Sequence, residues 1–238
     1  VVEGNGKILR GYGLEGSGCS LPAGQEGGDF FEFISCNESS VFIVIGDVMG
    51  KGFQAARQME TIRHSLRECI RIDSRPLEIV RRLNKLGGYE LRKCGSFATL
   101  CLLCYDGKNG RLTCVNAGHH PPLLLSNGEV REVQCRGVAI GFWEDYLGSG
   151  AEEVFLAAGD AVVLYTDGLV EACGPGEQRY GQERLKKAVR LQNGANAKCM
   201  KENILADLDT FTRGICQKDD VTLVVMKVTG KAGGTGGD

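Results

Sequence analysis

The chain has 238 residues, 42% of them apolar and 24% charged, with a formal net charge of −2. That is the make-up of an ordinary globular protein with enough chain for a substantial core, and it excludes disorder and collagen-like repeats. It leaves no electrostatic footprint for nucleic acid or an acidic membrane, and no apolar stretch reaches the length of a membrane span. The first residues lack the basic-then-apolar pattern of a signal peptide, so a cytoplasmic protein is expected.

Little regular structure is expected in the glycine-rich stretch up to about Gly28. Strands are predicted over 30–34 and 41–45, with Asn37-Glu38-Ser39-Ser40 as the turn between them. Over 53–70 the apolar residues Ala56, Met59, Ile62, Leu66 and Ile70 recur at helical spacing, with Arg57, Glu60, Arg63 and Arg67 on the wet side. A second helix is predicted over 76–86, with Pro76 early and Gly87-Gly88 as its stop. Strands over 98–105 and 111–116 flank the turn residues Asp106-Gly107-Lys108-Asn109-Gly110. Strands over 122–126 and 129–134 flank Asn127-Gly128, a strong hairpin signal. Two more strands follow over 153–156 and 161–166, then helices over 181–191 and 198–215, and a last strand over 220–228.

Strands and helix pairs in this order lack regular βαβ alternation, which predicts an α+β fold with antiparallel sheets. Two sheets packed together and flanked by helices is the natural arrangement. No linker interrupts the pattern, so one domain over 1–229 is expected, followed by a flexible glycine-rich tail over 230–238. The eleven cysteines show no framework spacing and many lie in apolar runs, where a reduced thiol acts as a small hydrophobe. Cys101 and Cys104 have the spacing of a redox or zinc motif, but on a strand they face opposite sides.

Four aspartates bound apolar strand runs. Asp47 and Asp167 close theirs, whereas Asp29 and Asp219, the latter followed by Asp220, open theirs. In an antiparallel sheet closing and opening ends can share one edge. Four converging carboxylates repel one another unless cations neutralise them, and an all-oxygen site suits Mg²⁺ or Mn²⁺. An aspartate beside a glycine is also a common turn, which is how Asp106-Gly107 is read. The segment Gly46-Asp47-Val48-Met49-Gly50-Lys51-Gly52 differs: it links a buried strand to a helix N-terminus, where its three glycines permit close backbone approach and amide donors suit a phosphate. It does not have the spacing of a P-loop.

Seven ordered motifs carry a family resemblance: Gly27-Gly28-Asp29-Phe30-Phe31-Glu32-Phe33, Gly46-Asp47-Val48-Met49-Gly50-Lys51-Gly52, Phe97-Ala98-Thr99-Leu100, Asn116-Ala117-Gly118-His119-His120-Pro121-Pro122-Leu123, Gly137-Val138-Ala139-Ile140-Gly141, Thr166-Asp167-Gly168-Leu169-Val170-Glu171-Ala172 and Asp219-Asp220-Val221-Thr222-Leu223-Val224-Val225. Over roughly residues 22–228 the chain resembles the PPM-type (protein phosphatase 2C-like) serine/threonine phosphatases of the bacterial sporulation-stage-II-E and RsbU group. The resemblance implies an αββα sandwich, in agreement with the layer argument.

It also implies two Mn²⁺ or Mg²⁺ ions sharing a water or hydroxide that attacks phosphorus in line. By motif, Asp47 would bridge both ions, the Val48 carbonyl would join it, Asp167 and Asp219 would each hold one, and Asp29 would complete the set directly or through water. Asp220 is the alternative to Asp219. Lys51, Gly50, Gly168, His119 and Glu171 are candidates for substrate contact or for supporting the ligands. For His119 a hydrogen-bonded structural role is weighed against proton donation to the leaving serine, and for Glu171 orientation of a water against a local cap. His64, beside Arg63, is read as solvated. Met49 and Phe53 depart from the family's smaller residues and are expected to alter substrate fit, and no counterpart is seen to the phosphate-gripping arginine of eukaryotic members. The implied substrate is a phosphorylated regulatory protein, a STAS-domain anti-anti-sigma factor or similar. The competing readings are a pseudo-phosphatase that holds such a partner without turnover and a hydrolase of small phosphate esters. Because family members are often joined to upstream PAS, GAF or receiver sensors, the chain is expected to be either free-standing or an excised catalytic domain.

Overall fold

The computed structural model describes residues 2, 3, 6–148 and 150–230. In chain order the elements are β1 (Val2–Glu3), β2 (Gly6–Gly11), β3 (Leu14–Leu21), β4 (Asp29–Ser35), β5 (Ser40–Val48), α1 (Gly52–Ile72), α2 (Pro76–Lys93), β6 (Ala98–Asp106), β7 (Arg111–Ala117), β8 (Leu123–Ser126), β9 (Glu129–Glu132), β10 (Glu152–Phe155), β11 (Ala161–Tyr165), α3 (Asp167–Val170), α4 (Gln182–Arg190), α5 (Ala197–Thr212) and β12 (Val221–Val228). They form a seven-stranded sheet, β1-β2-β3-β12-β11-β8-β9, and a five-stranded sheet, β10-β7-β6-β5-β4. Every pairing between named strands is antiparallel.

Side chains alternate across a strand, so one apolar run feeds two cores. On β5, Ile43 and Ile45 enter the core between the sheets, where they meet Leu103, Val162, Leu164 and Val224. Phe42 and Val44 point the other way, onto Ile62 and Leu66 of α1 and Ile79 and Leu83 of α2. The outer face of the seven-stranded sheet is covered by Leu185 of α4 and by Met200 and Ile204 of α5. The order is helix, sheet, sheet, helix, the αββα sandwich expected. Cys101 lies in the inter-sheet core and Cys104 packs against the helix side, so the two thiols face apart, and all eleven cysteines are free. Among the described residues no helix is long and apolar enough to cross a membrane.

Three expectations need correction. The glycine-rich N-terminal stretch is not irregular: β3 pairs with β12 along its whole length. Its glycines make room for aromatic rings, since a Cβ on Gly18 would lie 2.4 Å from the Phe31 ring and one on Gly16 3.0 Å from the Phe33 ring. Nor do Gly87 and Gly88 end the second helix, which runs on to Lys93. A Cβ at Gly87 would lie 2.8 Å from Ile62 of α1, and one at Gly88 3.0 Å from the Gly141 backbone, so close packing keeps these glycines inside the helix. Arg63 and Arg67 do not simply face water; both hold Glu32, which is 3% exposed on β4, through bonds of 2.6–2.9 Å. The expected tail over 230–238 falls, beyond Gly230, outside the described residues.

Candidate metal centre

Two strand pairs bring the predicted aspartates to one end of the sandwich. In the five-stranded sheet Asp29 opens β4 and Asp47 sits near the end of β5, and the two are direct register partners. In the facing sheet β11 and β12 pair through Tyr165 and Leu223. Asp167 therefore starts α3 just past β11, and Asp219 lies just before β12. Thr166 ties the sheets together: its hydroxyl donates to Asp29 Oδ2 at 2.7 Å and accepts the Thr222 amide at 2.9 Å. Sequence reading passed over this threonine, because a hydroxyl between Tyr165 and Asp167 gives no sign of a partner on another sheet.

The local field is strongly anionic. Burial, then the neighbouring Asp47 carboxylate, pushes Asp29 up to about 8. Asp47 rises to about 7, first by burial and then by Asp167, Asp219 and Asp220. Asp167 is raised by burial and then by Asp219. Each carboxylate thus feels the others, although among the described residues no three His, Cys, Asp or Glu side chains form a ready-made shell for an ion. The convergence is an electrostatic grouping around one sheet end.

The backbone around this grouping is shaped by missing Cβ atoms. A Cβ on Gly28 would stand 2.5 Å from the Val48 carbonyl oxygen and 3.4 Å from Asp47 Oδ1, and one on Gly168 would meet the Asp220 carbonyl at 2.0 Å. Gly50 has φ of +109°, a backbone conformation glycine adopts without strain. Asp219 and Asp220 separate clearly. Asp220 accepts the amides of Ala23 and Gly28, each at 2.9 Å, and clamps the loop before β4. Asp219 is about half exposed and pairs with the Lys51 ammonium at 3.1 Å. Lys51 also donates to the Lys218 carbonyl, so it bridges the head of α1 to the segment before β12.

His119 is buried, with Nε2 3.1 Å from the Tyr165 carbonyl and Nδ1 2.8 Å from the Thr99 hydroxyl. A carbonyl only accepts, so Nε2 carries the proton and Nδ1 accepts from Thr99. Burial, followed by the adjacent His120, holds its pKa down near 3. With both ring nitrogens occupied, the imidazole links Thr99 of β6 to Tyr165 of β11. His120 stacks on Tyr165 at 5.2 Å and lines a recess of about 160 Å³ with Asp47, Thr99 and Asp167. Glu171 pairs with Arg179 at 2.7 Å rather than reaching the carboxylates. Met49 and Phe53 are exposed, as is His64 on α1.

The residues fit a divalent cation. Every candidate donor is oxygen, Asp29 and Asp47 have each other as neighbours where a structural pair would have a cation, and the missing Cβ of Gly28 leaves the Val48 carbonyl uncrowded. Oxygen-only donor sets suit Mg²⁺ or Mn²⁺.

Fold and site together define the protein phosphatase 2C class of architecture. The SiaA-PP2C domain of Pseudomonas aeruginosa superposes with a TM-score of 0.79 at 23% identity, over 88% of this chain and 85% of that one. The RsbU and RsbW domains of Rv1364c from Mycobacterium tuberculosis give 0.78 at 26%, over 95% of this chain and 62% of theirs. The catalytic domain of serine threonine protein phosphatase PstP in complex with 2 manganese ions gives 0.63 at 17%, over 91% and 98%. The family described as Stage II sporulation protein E (SpoIIE) matches residues 37–229, and the chain belongs to it. Phosphoserine phosphatase RsbU of Bacillus subtilis (strain 168) is 27% identical over 226 residues, covering 93% of this chain; the chain spans only 65% of RsbU's length.

Proposed function

We propose that this chain is a divalent-metal-dependent serine/threonine phosphatase domain, extending over residues 1–229, that hydrolyses phosphoserine or phosphothreonine on a regulatory protein. The observation that carries the proposal is the register pairing of Asp29 with Asp47 opposite Asp167 and Asp219, a partly buried anionic grouping with, among the described residues, no cation paired to Asp29 or Asp47. Asp47, Asp167 and Asp219 are assigned as catalytic ligands, with Asp29 and the Val48 carbonyl completing the set. The two Mn²⁺ or Mg²⁺ ions held there would neutralise these carboxylates, acidify a water and stabilise charge on the phosphoryl oxygens. Thr166 fixes the orientation of Asp29, and His119 braces the floor through Thr99 and Tyr165. Asp220 serves by closing the 23–28 loop over the site. Membership of the SpoIIE family and likeness to RsbU support a substrate in a partner-switching pathway, a phosphorylated STAS-domain anti-anti-sigma factor.

The test is dephosphorylation of a phosphoserine STAS protein with Mn²⁺ and then with EDTA. Phosphate release that requires Mn²⁺ is the expected result. Release unaffected by EDTA, or two bound Mn²⁺ with no release from any phosphoprotein, would overturn the proposal and favour a holder of phosphoproteins without turnover.

A further inference from the structure

A recess of about 530 Å³ opens beside the carboxylates, between the end of α3, one face of α5 and the segment before β12. Its walls include Leu21, Leu205, Leu208 and Ile215, and it shares Lys51, Gly168 and Asp219 with the candidate metal centre. Leu21 and Ile215 are 38% and 40% exposed, so apolar surface stands open to an incoming group in a recess that borders the candidate metal centre. Its ionic lining does not select a charged ligand, since Glu171, Asp209 and Asp219 offset Lys51, Arg179 and Lys218. A second recess of about 590 Å³, lined by residues 23–26, Phe53 and Lys218, lies across the Lys51 side chain. Lys51 lines both recesses and its partner Asp219 lines the first, so an extended polypeptide laid over Lys51 borders both.

We propose, resting on the phosphatase reading above, that the apolar recess is a specificity subsite for a large aliphatic side chain two positions from the phosphorylated residue of the protein substrate. The geometry of an extended chain sets the spacing. Side chains at i and i±2 point to the same side and are separated by about 7 Å along the backbone. When the phosphoserine points at the carboxylates, the residue two positions away faces the neighbouring recess. The volume exceeds what one leucine fills, and burying such a side chain is enough to set a marked preference. The substrate class is therefore a phosphopeptide segment with Leu, Ile or Met at one of these positions, presented in extended form.

The test uses phosphoserine peptides with Leu, Ala or Asp at positions −2 and +2, assayed with Mn²⁺ on the whole chain and on the Ile215→Asp and Leu205→Gln variants. The same peptides carrying a non-hydrolysable phosphonate are followed by fluorescence anisotropy. At one of the two positions, replacing Leu by Ala should weaken binding and raise KM about tenfold in the unaltered chain. In either variant that penalty should shrink to less than about twofold, because the pocket no longer distinguishes the two side chains. Equal binding of Leu and Ala peptides by the unaltered chain, or a penalty that persists in both variants, would overturn the subsite. A Leu preference in phosphonate binding without hydrolysis of any phosphopeptide would leave the subsite standing and remove the phosphatase reading alone. If Ile215→Asp impairs p-nitrophenyl phosphate as severely as the peptides, the recess serves a small ester and the proposal fails.

Discussion

Two buried carboxylates on one strand, Asp29 and Glu32 of β4, are treated in opposite ways. Glu32 is 3% exposed and held by Arg63 and Arg67 from α1. Asp29 is 8% exposed and has Asp47 opposite it, with only hydroxyls such as that of Thr166 to soften the repulsion. Glu32 is completed by the protein and fastens a helix to a sheet. Under the proposed function, Asp29 and Asp47 would be completed by a cation from outside. Burial alone therefore does not mark a functional carboxylate; what surrounds it does.

The sharpest way to break this contrast is Asp47→Asn, which should cut phosphate release by at least about a hundredfold and weaken Mn²⁺ binding while the fold is kept. Phosphatase assay, calorimetric Mn²⁺ titration and circular dichroism together check it, and full turnover would remove Asp47 from the ligand set. Glu32→Gln should act on stability instead. It leaves two arginines without their buried partner and should cost about 3 kcal/mol by urea denaturation, with Mn²⁺ affinity per folded molecule little changed.

The pH dependence of the metal-free protein comes next. Asp29 and Asp47 have folded pKa values near 8 and 7, above the ordinary carboxylate value. A raised pKa means that the folded state binds the proton more tightly than the unfolded chain, so this stabilisation is fully present below about pH 4 and is lost as pH rises through 7 to 8. With EDTA present, Tm should fall across that window. Asp29→Asn should flatten the slope and raise Tm at pH 8, a sign opposite to that of Glu32→Gln. A slope unchanged by Asp29→Asn would show that the strain lies elsewhere. Least affected should be Asp106→Asn: the Asp106 side chain accepts the Lys108 amide in a turn, which an asparagine oxygen also does, and both activity and stability should stay within about 0.5 kcal/mol of the parent.

Much of this was legible in the sequence because the signals are local. Apolar runs bounded by aspartates located β4, β5, β11 and β12, and the two helix pairs placed a layer on each sheet. The unread parts depend on partners far away in the chain. Nothing near Gly16 or Gly18 announces an aromatic ring arriving from another sheet, so β3 resembled a loop. Gly87 and Gly88 have the chemistry of a helix stop until α1 and Gly141 press against them. Arg63 and Arg67 fit a wet helix face unless Glu32 is known to lie beneath. The roles of Thr166 and Thr99 likewise require both sheets to be in place. The four aspartates could be picked out together, whereas the different contacts of Asp219 and Asp220 became visible only through the amides that Asp220 accepts.

The ring seats on β3 work as a gauge of distance. Phe31 is two residues from Asp29, and its ring occupies the space a Cβ on Gly18 would need. The gap between the sheets at the end where Asp29 meets Thr166 is thus encoded by a matched ring and vacancy rather than by either residue alone. A methyl group added at position 18, or a smaller side chain at position 31, would misset the gauge from one side. Drift at these two positions should therefore be correlated, with change at one tolerated only when the other compensates for its volume.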